Sequence, residues 1–159
     1  MKKEEKTNVM RVLEGKKIPF ESRSYEPDST MTGAEIAALL GEEADHVFKT
    51  LITQGKSGQY YVFVVPVEAE LELRKAAKAA GEKSVDMIPQ KNLLPLTGYV
   101  HGGCSPIGMK KSFKTFIHES AAGFQRMYVS AGKVGFQIGI APGDLVKVTG
   151  AVYADISAD

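Results

Sequence analysis

Two apolar segments in the middle of the chain, residues 48–53 and 60–67, constrain the fold more than any other feature. The six residues between them, QGKSGQ, are polar and include two glycines, so they predict two strands joined by a hairpin-type connection. Most of the remaining strand patterns lie after residue 114. No regular β-α-β series is present, which disfavours a doubly wound parallel sheet. The sequence predicts an α+β fold whose mixed, strongly curved and barrel-like sheet is flanked by helices.

Helix patterns occur in five segments. The clearest is MTGAEIAALLG, where Thr32 and Glu35 have the spacing of a capping box and Gly41 suits the helix end. An alanine-rich helix is predicted to end before Gly81. The predicted helices cover residues 8–16, 31–41, 70–80, 92–98 and 142–146. The predicted strands cover residues 18–25, 48–53, 60–67, 115–118, 126–130, 134–140 and 152–156.

Bulk composition limits the class of protein. With 159 residues, 43% hydrophobic and 25% charged, residues 1–159 are expected to form a single globular domain. No apolar run is long enough to cross a membrane, and MKKEEKTNVM lacks the apolar core of a secretory signal. One cysteine cannot form an internal disulfide, which fits a cytoplasmic protein. A net charge of +1 excludes a strongly cationic protein that coats nucleic acid, so an RNA partner needs a local patch.

The only cysteine, Cys104, lies in the glycine-rich segment GYVHGGCSPIG, residues 98–108. His101 and Cys104 have H-x-x-C spacing, but no second pair of ligands lies nearby. Since His46 and His118 are isolated, no metal site is predicted. A cysteine nucleophile needs a lowered thiol pKa and a partner base. A lone cysteine before Ser-Pro is more often a small buried residue, and the sequence favours that interpretation.

The backbone of this segment is a candidate for ligand binding. Its glycines permit close approach to a ligand and can aim N–H groups at it. They are Gly98, Gly102, Gly103 and Gly108, around Ser105 and Pro106. A second segment, YVSAGKVG, repeats serine, glycine and lysine at a strand end. Two such loops in one small domain favour a pocket for a small molecule or a terminal nucleotide over a flat surface.

Lys49 lies within the otherwise apolar segment FKTLIT. A lysine that points inward from such a strand is costly unless it is paired or functional, because burial desolvates the ammonium group. The alternative is an outward lysine whose aliphatic stem covers apolar surface. The local sequence leaves both interpretations open.

Four motifs together resemble a known family. They are FKTL, GYVHGGCSPIG, YVSAGK with its following glycine, and IAPGDLVKVTGA. In this order and spacing the chain resembles the YbaK-type aminoacyl-tRNA deacylases, which are similar to the editing insertion domain of bacterial prolyl-tRNA synthetases. The resemblance covers nearly the whole chain, so it implies that fold and an aminoacyl-tRNA deacylase that edits in trans.

The resemblance implies hydrolysis of mischarged Cys-tRNA(Pro), and also of Cys-tRNA(Cys), without a cofactor or metal. It implies no nucleophile from the enzyme: the thiol of the substrate attacks its own ester and leaves a thiolactone that water opens. The implied catalytic residues are Lys49, Gly103 and Ser105. The implied substrate-binding residues are Tyr25, Thr50, Gly102, Ser130 and Gln137.

Two positions depart from the pattern of the family. Gln137 stands where some members carry aspartate, so a carboxylate that could pair with the substrate ammonium is replaced. Cys104 stands where relatives often carry isoleucine or valine, which fits a packing role. The amino-acid specificity therefore stays open: the alternatives are an Ala-tRNA(Pro) deacylase that uses an activated water, and a non-catalytic module that binds tRNA or a synthetase.

Three lysines that follow the glycine-rich segment are candidates for contact with tRNA phosphates. They are Lys110, Lys111 and Lys114. A solvated, charged strand end explains the same residues equally well. Because the net charge is near zero, tRNA identity is expected to come partly from prolyl-tRNA synthetase, a partner that the resemblance implies.

Overall fold

The computed structural model of the protein describes residues 6–26 and 30–158. The helices are α1 (Asn8–Gly15), α2 (Gly33–Leu39), α3 (Leu73–Ala80), α4 (Leu93–Thr97) and α5 (Pro142–Thr149). The strands are β1 (Glu21–Ser24), β2 (Phe48–Gly55), β3 (Tyr60–Pro66), β4 (Glu70–Leu71), β5 (Val85–Met87), β6 (Lys114–His118), β7 (Met127–Ser130), β8 (Phe136–Ile140), β9 (Val152–Ala154) and β10 (Ser157–Ala158). Short 3₁₀ turns lie at Ala44–His46, Gln90–Asn92 and Glu119–Gly123.

The predicted hairpin forms the centre of a five-stranded sheet. β2 and β3 pair antiparallel from Phe48↔Pro66 to Gln54↔Tyr60. β5 pairs antiparallel with β2, whereas β6 and β9 follow β3 in parallel, which gives the order β5-β2-β3-β6-β9. β1, β8 and β7 form an antiparallel sheet, and the bridge Val47↔Tyr128 joins it to the start of β2. The predicted α+β class with a mixed sheet is confirmed.

Closure of the sheet into a barrel-like shape stays a prediction. The described strands pair as sheets of five, three and two strands, the last being β10 with β4. No pairing within residues 6–26 and 30–158 closes these strands into a ring.

Local signals in the sequence explain where two helices begin. At α2 the Thr32 hydroxyl accepts the Glu35 N–H at 3.1 Å and the Glu35 carboxylate accepts the Thr32 N–H at 3.1 Å, so the capping box is confirmed. The third helix begins at Leu73 instead of residue 70, because the Glu72 carboxylate caps it by accepting the Lys75 N–H at 3.0 Å. Glu70 and Leu71, which were predicted as helix, form β4 and pair with β10.

The core lies on both faces of β3. Phe63 and its neighbours on one face pack against α3 and Phe116, whose ring stacks on that of Phe63 with centroids 5.2 Å apart. Val62 and Val64 on the other face join a larger cluster with residues of α1, β7, β8 and α5. This second cluster fixes β2 against the three-stranded sheet, where the candidate site lies. None of the helices in the described residues is long and apolar enough to cross a membrane.

Candidate active site

One cavity gathers most of the residues that the sequence singled out. Its volume is about 350 Å³, at the lower end of the range for small-molecule pockets. Its walls come from β2, the glycine loop (residues 98–108), β7 and β8. The predicted site residues that line it are Tyr25, Lys49, Thr50, Gly102, Ser130 and Gln137. His101, Cys104 and apolar residues that include Met31, Ile36, Leu93 and Phe136 complete its described lining.

Lys49 and Thr50 enter the wall from β2, in register with Val65 and Val64 of β3. Lys49 is half-buried and lines the cavity, so it belongs to a sheltered site instead of a fully solvated edge. The hydroxyl of Thr50 is buried and has no hydrogen-bond partner among the described residues. The described lining includes neither aspartate nor glutamate, which leaves Lys49 without a lining counter-charge.

The glycine loop begins where α4 ends at Gly98, whose φ of +83° favours glycine. Gly103 packs against the neighbouring loop so closely that a Cβ atom there would lie 3.0 Å from the backbone nitrogen of Val134. The N–H of Gly103 donates to the Val100 carbonyl at 3.0 Å. The N–H groups of Gly102 and Cys104, which both line the cavity, donate to no described residue.

Ser105 belongs to the glycine loop but is not among the described residues that line the cavity. It is fully buried, and its hydroxyl accepts the Ile107 N–H at 3.3 Å. Tyr99 secures the same turn, since its hydroxyl donates to the Ile107 carbonyl. Ser105 therefore holds the loop in shape, and its predicted catalytic role stays a prediction.

β7 and β8 place two further candidates opposite each other, since Ser130 and Gln137 are paired in register. The Ser130 hydroxyl accepts the Gly132 N–H at 3.1 Å, which turns the chain at the cavity wall. Gln137 is only 5% exposed, and its Oε1 atom has no hydrogen-bond partner in the described part of the chain. Tyr25 is tied to the same wall because its N–H donates to the Gly135 carbonyl at 2.9 Å.

Cys104 has the properties of a packing residue. It is 9% exposed, and burial raises the pKa of its thiol to about 12. A nucleophilic cysteine reacts as the thiolate, so a thiol with this pKa stays protonated at neutral pH. The position of Cys104 in the cavity wall therefore provides shape and not a nucleophile.

Sequence patterns do not indicate the ion pair that adjoins Gln137. The side chain of Glu42 is fully buried, and its carboxylate pairs with the Arg23 guanidinium at 2.9 Å. Burial raises the pKa of Glu42, and the adjacent Gln137 amide and Arg23 partly oppose that rise. Arg23 is in register with Gln137 and lies 4.9 Å from the centroid of the Tyr128 ring. A glutamate after a helix end resembles any solvated polar residue, so sequence alone does not reveal this burial.

Two other groups of polar residues lie away from the cavity lining. Lys110, Lys111 and Lys114 are exposed where the chain leaves the glycine loop, and none is among the lining residues. Glu43, Asp45 and His46 bring possible metal-ligating atoms within 4.8 Å of one another at the surface. His46 Nδ1 lies 2.8 Å from an Asp45 carboxylate oxygen, and its ring stacks on Phe124. Neither group belongs to the candidate site.

Comparison with known sequences finds relatives among aminoacyl-tRNA editing proteins and proline–tRNA ligases. A sequence model described as the aminoacyl-tRNA editing domain matches residues 27–148. Over 157 residues the chain is 43% identical to "Putative Cys-tRNA(Pro)/Cys-tRNA(Cys) deacylase EbsC" of Enterococcus faecalis, which covers 98% of this chain and 96% of that protein. A stretch of 78 residues, 49% of the chain, is 33% identical to a proline–tRNA ligase of Thermosipho melanesiensis and covers 14% of it.

Comparison with solved structures supports the fold. A crystal structure described as "a putative trans-editing enzyme for prolyl tRNA synthetase" matches with a TM-score of 0.80 and 24% identity. The match covers 96% of this chain and 99% of that one. At this identity the likeness concerns the fold alone.

Proposed function

The chain belongs to the aminoacyl-tRNA editing domain family and is an aminoacyl-tRNA deacylase; we propose that it removes cysteine from mischarged Cys-tRNA(Pro), and also from Cys-tRNA(Cys), acting in trans. The relative that is 43% identical over nearly the full chain is named for these two substrates. We expect the protein to act in the cytoplasm, where tRNA is charged.

We propose that the nucleophile is the thiol of the substrate cysteine. Its sulfur bonds to the ester carbonyl carbon, the bond from that carbon to the ribose oxygen breaks, and the thiol proton passes to the ribose oxygen. The products are a cysteine thiolactone and tRNA with a free hydroxyl, and water then opens the thiolactone. The protein has to orient the reacting groups, and orientation alone contributes up to about 7–11 kcal/mol in the best cases.

The observation that carries this proposal is the 43% identity over nearly the full chain to a protein named for Cys-tRNA(Pro) and Cys-tRNA(Cys), two substrates that bring their own thiol. Cys104 is the only cysteine of the chain, and its pKa of about 12 keeps it protonated at neutral pH. A substrate thiol held in the same cavity makes an enzyme nucleophile unnecessary. The protonated thiol of Cys104 is therefore compatible with a cysteine substrate.

Two backbone donors suit the charge that develops on the ester carbonyl oxygen. The N–H groups of Gly102 and Cys104 are unengaged by described residues, while the Gly103 N–H is already bonded to Val100. We assign the ester carbonyl oxygen to the N–H groups of Gly102 and Cys104, because preorganised N–H groups stabilise an oxyanion. Gly103 then acts through its close packing, which fixes the two donors.

The side chains around the donors orient the remainder of the aminoacyl end. We assign Lys49 to the ribose or ester oxygens, as a point cation that stabilises developing negative charge. We assign Ser130, Tyr25, Thr50 and Gln137 to hydrogen bonds with the substrate, because all four line the cavity. Ser105 supports this arrangement by holding the turn at Ile107.

Contact with the body of the tRNA is assigned to Lys110, Lys111 and Lys114. All three are exposed next to the end of the glycine loop. If they contact phosphates, binding weakens steeply as salt increases. We propose prolyl-tRNA synthetase as the partner that selects the tRNA, since part of the chain resembles a proline–tRNA ligase.

His101 favours a second candidate function. Among the described residues that line the cavity it is the one histidine, and an imidazole can activate water as a general base. A water-based reaction would suit Ala-tRNA(Pro), which has no thiol. A non-catalytic tRNA-binding module is the third possibility, and it predicts binding without turnover.

Hydrolysis rates for four substrates separate these functions. They are Cys-tRNA(Pro), Ala-tRNA(Pro), Ser-tRNA(Pro) and Cys-tRNA(Pro) with a methylated thiol. The proposed mechanism predicts that only the first is cleaved rapidly. Cleavage of the alanyl and methylated forms at similar rates would favour activated water, and binding of all four without cleavage would favour the non-catalytic module.

A further inference from the structure

We propose that a second pocket binds the nucleotide that precedes the aminoacylated, terminal nucleotide of the tRNA. The walls of this second pocket include Glu43, His46, Phe124, Arg126 and Tyr128. The base is assigned to the aromatic part of the wall and the phosphate to Arg126. The inference rests on the proposed function in one respect, that an aminoacyl-tRNA end occupies the cavity described above.

The first observation is the size and chemistry of the second pocket. Its volume is about 450 Å³, which is within the range for small-molecule sites and larger than that of the cavity. The His46 ring stacks on that of Phe124 with centroids 3.8 Å apart, and Tyr128 supplies another ring of the wall. Proteins recognise single-stranded RNA by stacking its bases on aromatic side chains, histidine included, and by contacting its backbone with cations. Aromatic rings beside Arg126 are therefore suited to a nucleotide.

The second observation is that the second pocket and the cavity share one face of the three-stranded sheet. Ser130 of β7 lines the cavity, and Tyr128, two residues earlier on the same strand, lines the second pocket. Side chains two residues apart on a strand lie on the same face, and two residues advance the strand by about 6.8 Å. One nucleotide of an extended RNA single strand can span such a distance. RNA whose aminoacyl end lies in the cavity can therefore place its preceding nucleotide in the second pocket.

Gly139 makes room for the side chains that line the second pocket on this face. It pairs with Tyr128, and a Cβ atom at Gly139 would lie 2.8 Å from the Tyr128 ring and 3.0 Å from Cδ of Arg126. A larger residue would push both side chains away from the sheet, so the glycine lets them lie close over β8. The bridge Val47↔Tyr128 brings the backbone next to His46 against the same strand. The wall is thus built from paired strands and not from a free loop.

The charges of the second pocket suit a base together with one phosphate. Arg126 is half-exposed and pairs with Glu21, so its guanidinium is a cation that a phosphate can share at the surface. Glu43 is largely exposed, and its carboxylate oxygens can accept hydrogen bonds from the amino group of a base such as cytosine. The three lysines that follow the glycine loop are not among the described residues that line this pocket. The second pocket is therefore a separate contact with the RNA.

Binding of unreactive analogues tests the inference without turnover. The first probe is 3′-amino-3′-deoxyadenosine with cysteine attached through an amide. The second probe carries a cytidine nucleotide before that adenosine, and the third carries an abasic nucleotide in the same place. In calorimetry we expect the wild-type protein to bind the second probe about tenfold more tightly than the first, and the third within about threefold of the first, because the base supplies most of the contact.

Two variants assign the gain in affinity to the second pocket. His46→Ala removes one ring and should bring the second probe to within about threefold of the first, whose own affinity should not change. Arg126→Gln removes the half-exposed cation and should make the affinity for the second probe less dependent on salt. The matched control, Arg74→Gln, removes an exposed arginine of α3, which packs on the other face of β3, and should change neither property. The affinity for the first probe reports whether each variant retains its fold and its cavity.

Equal binding of the first and second probes by the wild type, equal binding of the second and third, or equal weakening of the first two by His46→Ala would overturn the inference. If His46→Ala does not fold, an unchanged salt dependence in Arg126→Gln would overturn it. Cleavage of Ala-tRNA(Pro) as fast as Cys-tRNA(Pro), with the gain from cytidine intact, would refute the cysteine assignment alone. Selective cleavage of Cys-tRNA(Pro) without any gain from cytidine would refute the second pocket alone.

Discussion

The two sides of the cavity differ in how their polar atoms are satisfied. In the glycine loop, Ser105 bonds to the Ile107 N–H and the Gly103 N–H bonds to Val100, so these atoms are used within the loop. On the opposite side, Thr50 Oγ1 and Gln137 Oε1 are buried without partners among the described residues. The loop therefore leaves backbone N–H groups of Gly102 and Cys104 unengaged by described residues, whereas the strand side contains two buried side-chain acceptors that no described residue pairs.

The largest effect is expected on the strand side, at Lys49. Lys49→Ala removes the cation that lines the cavity and should lower deacylation of Cys-tRNA(Pro) by roughly 10²–10³-fold, the usual loss when one stabilising group of a transition state is removed. Single-turnover rates measure this effect. Wild-type rates in a folded Lys49→Ala protein would remove Lys49 from the mechanism.

A change in the packing of the glycine loop should affect stability and activity together. Gly103→Ala places a Cβ atom 3.0 Å from the Val134 nitrogen and 3.3 Å from two backbone atoms of Lys133. We expect the two loops to separate, at a cost of about 1–3 kcal/mol in the free energy of unfolding, with loss of activity. Gly143→Ala is the control, because its Cβ meets nothing within 4 Å inside α5 and should stabilise by about 0.5–1 kcal/mol. Equal behaviour of the two variants in urea unfolding would contradict the close packing.

Ser105 tests whether a loop hydroxyl is structural. Ser105→Ala leaves the buried Ile107 N–H without its acceptor, so we expect a loss of about 1–3 kcal/mol in the free energy of unfolding. Deacylation at a temperature where the variant is folded should stay within a few-fold of wild type. The exposed Ser112→Ala is the matched control. A large loss of rate with unchanged stability would instead identify Ser105 as catalytic.

The smallest effect on activity is expected for Cys104. Cys104→Ala should retain activity and cost about 1 kcal/mol of stability, as a typical buried substitution. The unfolded thiol releases its proton near the ordinary pKa of 9.0, while the folded thiol keeps it to about 12. The stabilisation from its burial is therefore complete below pH 9 and declines as pH rises from 9 to 12.

Unfolding measurements of both proteins between pH 7 and 11 test this dependence. The difference between wild type and Cys104→Ala should shrink above pH 9. A constant difference, or rapid alkylation of the native protein at pH 8, would show that the thiol is neither buried nor protonated as described.

Sequence patterns predicted the parts of this molecule that depend on local chemistry. The capping box at Thr32, the central hairpin and the helix end at Gly81 all depend on residues close in the chain. The short β10 was not predicted, because its pairing with β4 depends on residues more than 80 positions away. The same limit explains the site: motif resemblance placed Lys49 and Gln137 together, but nothing near Glu42 in sequence reveals that Arg23 and Gln137 surround it.

In the proposed mechanism the reacting thiol belongs to the substrate. The most direct measurement compares single-turnover cleavage of Cys-tRNA(Pro) with cleavage of the same substrate bearing a methylated thiol, using the Cys104→Ala protein. If the substrate thiol is the nucleophile, the free-thiol substrate is cleaved rapidly and the methylated one is not. Equal rates for both substrates, or loss of cleavage on removal of Cys104 from a folded protein, would contradict it.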